Sequence, residues 1–160
     1  MRRLLMMSLT VLTACQPAPP PPPDRAFEGL PYTGSRAFAE GMGFAPCFDT
    51  SNALRCRRDG VMLFGAGPYR AAVDLAWDGA AGFRQLTLWH DTNQAALFPV
   101  GDALKARGWT LCRTGQEDRG DQEIWTKPGA PVRLSMDLSY WGKRRLRILP
   151  EERQPTGKCW

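Results

Sequence analysis

The chain predicts an α+β domain of two tandem α-β-β-β(-β) units. Their strands would form antiparallel sheet, with helices on one face and two disulfides. Two observations carry this. Val132, Leu134, Met136, Leu138 and Tyr140 alternate with Arg133, Ser135, Asp137 and Ser139, the two-residue period of a strand with one apolar and one polar face. The same elements also recur in order along the chain, as an internal duplication requires. Ser35-Arg-Ala-Phe-Ala-Glu40 leads into Gly43-Phe44-Ala-Pro-Cys47, and Asp102-Ala-Leu-Lys-Ala-Arg107 leads into Gly108-Trp109-Thr-Leu-Cys112. Glycine, aromatic and cysteine thus return 65 positions later. Val73-Asp74-Leu75-Ala76-Trp77-Asp78-Gly79 likewise matches Met136-Asp137-Leu138-Ser139-Tyr140-Trp141-Gly142, and strand-like runs follow at Phe83 to His90 and Lys143 to Leu149. The repeats fall at about 30–91 and 95–150.

In chain order, Ser35 or Thr33 caps a first helix that Gly41 and Gly43 stop. Val73, Leu75 and Trp77 then form the apolar side of a strand, which makes Trp77 a core residue. A second helix lies between about Gln94 and Arg107; Pro99 kinks it or starts it, and Gly108 ends it. Leu146 and Ile148 alternate with Arg145 and Arg147. Hairpin turns are expected at Asp78-Gly79 and Trp141-Gly142. Gly65-Ala66-Gly67-Pro68 lacks the Lys-Ser/Thr of a phosphate loop and reads as a turn.

The first fifteen residues have a different purpose. Arg2 and Arg3 precede a short apolar run, Leu4 to Val11, and then Leu12-Thr13-Ala14-Cys15. The run is too short to span a bilayer as a helix. This segment resembles a bacterial lipoprotein signal, Leu-(Ala/Ser/Thr)-(Gly/Ala)-Cys. The resemblance implies that residues 1–14 are removed and that Cys15 carries two or three acyl chains, an effectively permanent anchor. Gln16, where an Asp would suggest inner-membrane retention, favours the outer membrane, facing the periplasm. Residues 15–24 form the tether. Pro19 to Pro23 fix an extended polyproline II spacer of about 3.1 Å per residue.

Residues 25–160 then constitute one domain. Removing Arg2 and Arg3 from the 21 basic residues leaves 19 against 16 acidic, a charge of +3, and no basic-aromatic motif points to nucleic acid. Four cysteines remain beyond Cys15: Cys47, Cys56, Cys112 and Cys159. An even number in an oxidising compartment indicates two disulfides. Of three pairings, Cys47–Cys56 with Cys112–Cys159 is favoured.

Chemistry-bearing residues are sparse. His90 is the single histidine; no zinc-like ligand cluster accompanies it, and neither metal nor cofactor is expected. Asp74 and Asp137 sit at matching positions on polar strand faces. Paired carboxylates can cleave glycosidic bonds, but Arg145 and Arg147 on the following strand make a salt bridge with Asp137 the simpler expectation. Trp89 shares a face with Gln85 and Thr87, and Trp125 with Glu123 and Lys127, so both are expected to be partly exposed. With Arg133, Arg145 and Arg147 they compose a candidate binding face for an envelope protein or acidic polymer, tryptophan and arginine being enriched where proteins meet partners. The expected function is therefore a lipid-anchored, non-catalytic binding or structural role in the periplasm. The alternatives are an inhibitor of a lysozyme-type or protease-type hydrolase, and a hydrolase using Asp74, Asp137 or His90. In layout, the domain resembles the duplicated helix-plus-sheet proteins of the β-lactamase-inhibitor-protein type and small envelope-assembly lipoproteins; no functional residue follows from that likeness.

Overall fold

The computed structural model describes residues 20–77, 79, 81–115, 121–138 and 144–152. The signal at 1–14 and Cys15 lie outside them. A short ribbon of β1 (Arg25–Phe27) and β2 (Leu30–Thr33) leads to α1 (Arg36–Gly41). There follow β3 (Cys47–Asp49), β4 (Leu54–Leu63), β5 (Ala66–Leu75) and β6 (Leu86–Trp89). A 3₁₀ turn (Gln94–Leu97) runs into α2 (Phe98–Ala106), and β7 (Thr110–Arg113), β8 (Gln122–Thr126), β9 (Val132–Asp137) and β10 (Arg145–Pro150) complete the order.

Both helices begin and end where local chemistry requires. Ser35 Oγ accepts from the Phe38 backbone N–H at 3.2 Å, satisfying one of the donors left over at a helix start. At the end of α1, Phe44 N donates to Ala39 O at 3.0 Å and Gly43 N to Glu40 O at 2.9 Å. At the end of α2, Trp109 N donates to Leu104 O at 3.1 Å and Gly108 N to Lys105 O at 3.0 Å. These are two copies of one Schellman cap, with the glycines at φ +83° and +76°. Pro99 occupies the first turn of α2, where its missing N–H costs nothing. Asn93 caps the preceding 3₁₀ turn through Ala95 N.

Eight strands make one antiparallel sheet in the order β3-β4-β5-β6-β10-β9-β8-β7. Strands from Cys47 to Trp89 fill one half and strands from Thr110 to Pro150 the other. The halves meet at the β6–β10 seam, where Leu86 pairs with Ile148 and Leu88 with Leu146. Alternation sends Val73, Leu86, Ile148 and Leu134 to one face, all fully buried. Ala39 of α1 and Leu97, Val100 and Leu104 at α2 join that buried cluster, so the helical elements cover the apolar face. The Cys47–Cys56 disulfide joins β3 to β4. Cys112 is disulfide-bonded as well; its expected partner, Cys159, lies outside the described residues.

Two sequence expectations need correction. β5 and β6 pair antiparallel as a hairpin would, but β5 stops at Leu75 and β6 starts only at Leu86, so the connection is ten residues long; Asp78 lies outside the described residues. The connection folds back so that Gly34 and Phe83 exchange backbone hydrogen bonds of 2.8 and 3.0 Å, which buries Phe83. Trp77 lies beyond the end of β5 and is 55% exposed; it is not core. The Trp141-Gly142 turn falls outside the described residues.

The last prolines of the spacer belong to the body. Pro22 is buried, Asp24 Oδ1 accepts from Ser35 N at 2.7 Å, and Gly82 (φ +64°) leaves the room they occupy. A Cβ there would stand 2.7 Å from Pro22 Cδ and 3.1 Å from Pro21 Cβ, and would collide with the Gly34 carbonyl.

Tyr69 links sheet to helix by donating its hydroxyl to Ala96 O at 2.8 Å, and is 1% exposed. Burial raises its phenol pKa above the ordinary 10.0. The unfolded chain therefore loses this proton first, and the associated stability, fully present below about pH 10, is lost as pH rises through the folded value. Tyr69→Phe should cost about 1 kcal/mol at pH 8. It should also shrink the fall in thermal midpoint between pH 8 and 11; an unchanged fall would disprove the assignment.

Candidate binding face

The face opposite the helices is set by the same alternation. It carries Arg55 and Arg57 from β4, Arg70, Ala72 and Asp74 from β5, and Thr87 and Trp89 from β6. β10 adds Arg145 and Arg147. Register aligns these into cross-strand rows. Arg57 pairs with Ala72, Ala72 with Thr87 and Thr87 with Arg147; one step along, Arg70 pairs with Trp89 and Trp89 with Arg145. Small Ala72 and Thr87 in the middle of a row flanked by arginines leave a cleft of about 200 Å³. Trp89 and Gln85 lie at its two ends, and Gln85 Nε2 donates to Thr87 Oγ1 at 2.9 Å.

Four arginines and one carboxylate, Asp74, line the cleft. Arg55 grips Asp74 with both prongs of its fork, at 2.6 and 2.7 Å, and that hydrogen bond raises the guanidinium pKa. Arg147 holds Asp137 similarly, at 2.5 and 3.2 Å. Just outside, Arg70 pairs with Asp91 at 2.7 Å, which also accepts from Trp89 Nε1 at 3.1 Å. Arg57 and Arg145 differ. Among the described residues neither has a carboxylate partner. The Arg57 guanidinium lies 4.5 Å from the Phe48 ring centroid and 5.9 Å from that of Trp89, and its Nε is buried with no hydrogen-bond acceptor.

The structure thus gathers Trp89, Arg145 and Arg147 of the sequence-read face into one site. Arg133 is on the same face but on β9, beside a second hollow that includes Arg147, Ser135 and Ile124. Trp125 is elsewhere. It pairs with Leu134, lies on the helix-covered side and is 4% exposed, which corrects the expectation of exposure. Its polar neighbours misled: Glu123 is held by Arg113 at 3.0 Å and Lys127 lies past the strand end. The indole packs against Gly101 of α2, its Cζ2 3.4 Å from where a Cβ on that glycine would be. Arg55 and Arg57 were missed, although their alternation with buried Leu54 and Cys56 is a period-two signal of the same kind.

The residues considered for hydrolysis are dispersed. Asp74 and Asp137 lie on strands three spacings apart, about 14 Å, each in an ion pair. His90 Nδ1 accepts backbone N–H bonds from Thr92 and Asn93 at 3.3 and 3.0 Å, closing the turn before the 3₁₀ segment. Among the described residues no group of three or more His, Cys, Asp or Glu side chains is placed to hold a metal. No helix among them is long and apolar enough to cross a membrane. No protein-family model, curated protein or solved structure matches the chain.

Proposed function

We propose that this is a lipid-anchored protein of the bacterial envelope, held at the outer membrane through Cys15, whose open sheet face binds a partner in the periplasm without catalysing a reaction. The observation that carries the reading is the cluster of Arg57, Trp89 and Arg145. It brings together in one cleft an aromatic ring and two arginines that have no carboxylate partner among the described residues, on the face opposite the helices. Isolated surface arginines need no explanation, but a desolvated Nε with no acceptor is costly to keep, and a partner group would satisfy it. The domain is a duplicated module, a reading supported by the edge-to-seam order of each half and by the matching caps at Phe44 and Trp109. A Cys112–Cys159 disulfide completes it.

The test is photocrosslinking of the full chain in intact cells, with a photoreactive residue at position 89 or 145 and at Asp102, exposed on α2, as reference. A discrete adduct is expected from the two face positions and none from position 102. The absence of any adduct from the face, or the same adduct from all three positions, would overturn the proposal.

A further inference from the structure

We infer that the cleft takes an acidic polypeptide segment of the partner, laid in extended form across the strands, with one carboxylate on Arg57 and another on Arg145. This rests on the binding reading above and adds the chemistry of the ligand. The face itself displays how it takes carboxylates, since Asp74 and Asp137 each engage two nitrogens of one arginine fork. Bidentate pairing of this kind is the strong form of the interaction. Arg57 and Arg145 line the same cleft and, among the described residues, have no carboxylate partner.

Their separation specifies the ligand further. β4 and β10 are three spacings apart in the sheet order, about 14 Å. Arg145 lies one row beyond Arg57, two residues or about 7 Å along the strands, so the two positions are about 16 Å apart on the diagonal. An extended chain advances about 3.3 Å per residue and returns to the same side every second residue. Acidic residues four apart cover about 13 Å of this and face the same way, the long arginine side chains closing the rest, whereas residues two apart cover only about 7 Å. Between the two arginines the ligand backbone would run obliquely, from Ala72 in the Arg57 row to Trp89 in the Arg145 row. The charge of the lining, four arginines against Asp74, complements an acidic segment and raises its association rate at low salt.

The experiment measures binding of fluorescent ten-residue peptides to the full chain in detergent by anisotropy. The peptide with Asp and Glu four residues apart is expected to bind. Moving them to a two-residue spacing, or replacing them by Asn and Gln, should weaken binding about tenfold or more. Arg57→Gln and Arg145→Gln should each weaken it about tenfold, and Arg36→Gln on α1, already paired with Glu40, should leave it unchanged. Arg145 is exposed, so its variant is informative even if Arg57→Gln fails to fold. Equal binding of the neutral peptide, or indifference to both cleft variants, would overturn the inference. So would retention of phosphatidylglycerol vesicles by the cleft arginines with no peptide binding, which would assign the site to a lipid phosphate. Any of these alongside a face-specific crosslink would leave the binding role standing and remove only the acidic segment; loss of the crosslink would remove the role itself.

Discussion

Trp125→Ala is expected to destabilise the fold by about 3–5 kcal/mol, while Trp77→Ala stays within about 0.5 kcal/mol of the parent. Both tryptophans lie at or near strands in sheet-forming sequence, and local patterning assigns them the opposite roles. Trp125 is 4% exposed and Trp77 55%. Truncating Trp125 leaves a void between β9 and the Gly101 side of α2, which neither the paired strand nor a glycine can fill. Its Nε1 has no hydrogen-bond partner among the described residues, so the loss is one of packing, and Trp125→Phe should fall between the two alanine variants. Urea unfolding of the three variants decides the matter. Equal losses at positions 77 and 125 would show that α2 does not close over the indole.

The second large effect is expected at Gly82. An alanine there adopts a left-handed backbone, about 1–2 kcal/mol unfavourable, and meets Pro21, Pro22 and the Gly34 carbonyl. Overpacking of this sort adds about 1–3 kcal/mol, so the total should reach about 2–5 kcal/mol. Gly129 supplies the comparison. Its φ is +78° but nothing lies within 4 Å of a Cβ placed there, so Gly129→Ala should show the backbone contribution alone. The difference in thermal midpoint between the two variants isolates the crowding at Gly82 by the Gly34 carbonyl and the two prolines. Matching losses at positions 82 and 129 would mean that the Gly34 carbonyl and the prolines can both move aside freely.

Much of this architecture was legible where a local signal sufficed. Ser35, Gly43 and Gly108 mark helix ends because caps are made by residues within one turn. β9 and β10 declare their buried sides because alternation is a property of consecutive residues. What local patterning does not contain is which element covers a face and how distant strands align. Trp125 was misassigned because its burial depends on α2, 24 residues away at Gly101, packing over the indole. Trp77 was misassigned because β5 ends early, where Phe83 is drawn back to Gly34. The cleft was only half visible for a related reason. Arg145, Arg147 and Trp89 lie on strands read as outward-facing, but Ala72 and Thr87 become a floor only through the registers of β5 with β6 and of β6 with β10, and shifting either by one residue would move those side chains to the other side.

The β6–β10 seam has a further consequence, for how the chain finds its shape. Every other pairing in the large sheet joins strands adjacent in sequence, so each four-stranded half can assemble from neighbouring hairpins with little loop entropy to overcome. The seam alone joins distant segments, from Trp89 to Arg145, 56 residues along the chain. Because non-local closure slows folding more than hairpin formation does, closure of this seam is the step expected to limit the folding rate. Until it occurs, the apolar rows ending at Leu88 and Leu146 are open edges exposed to any other unpaired strand.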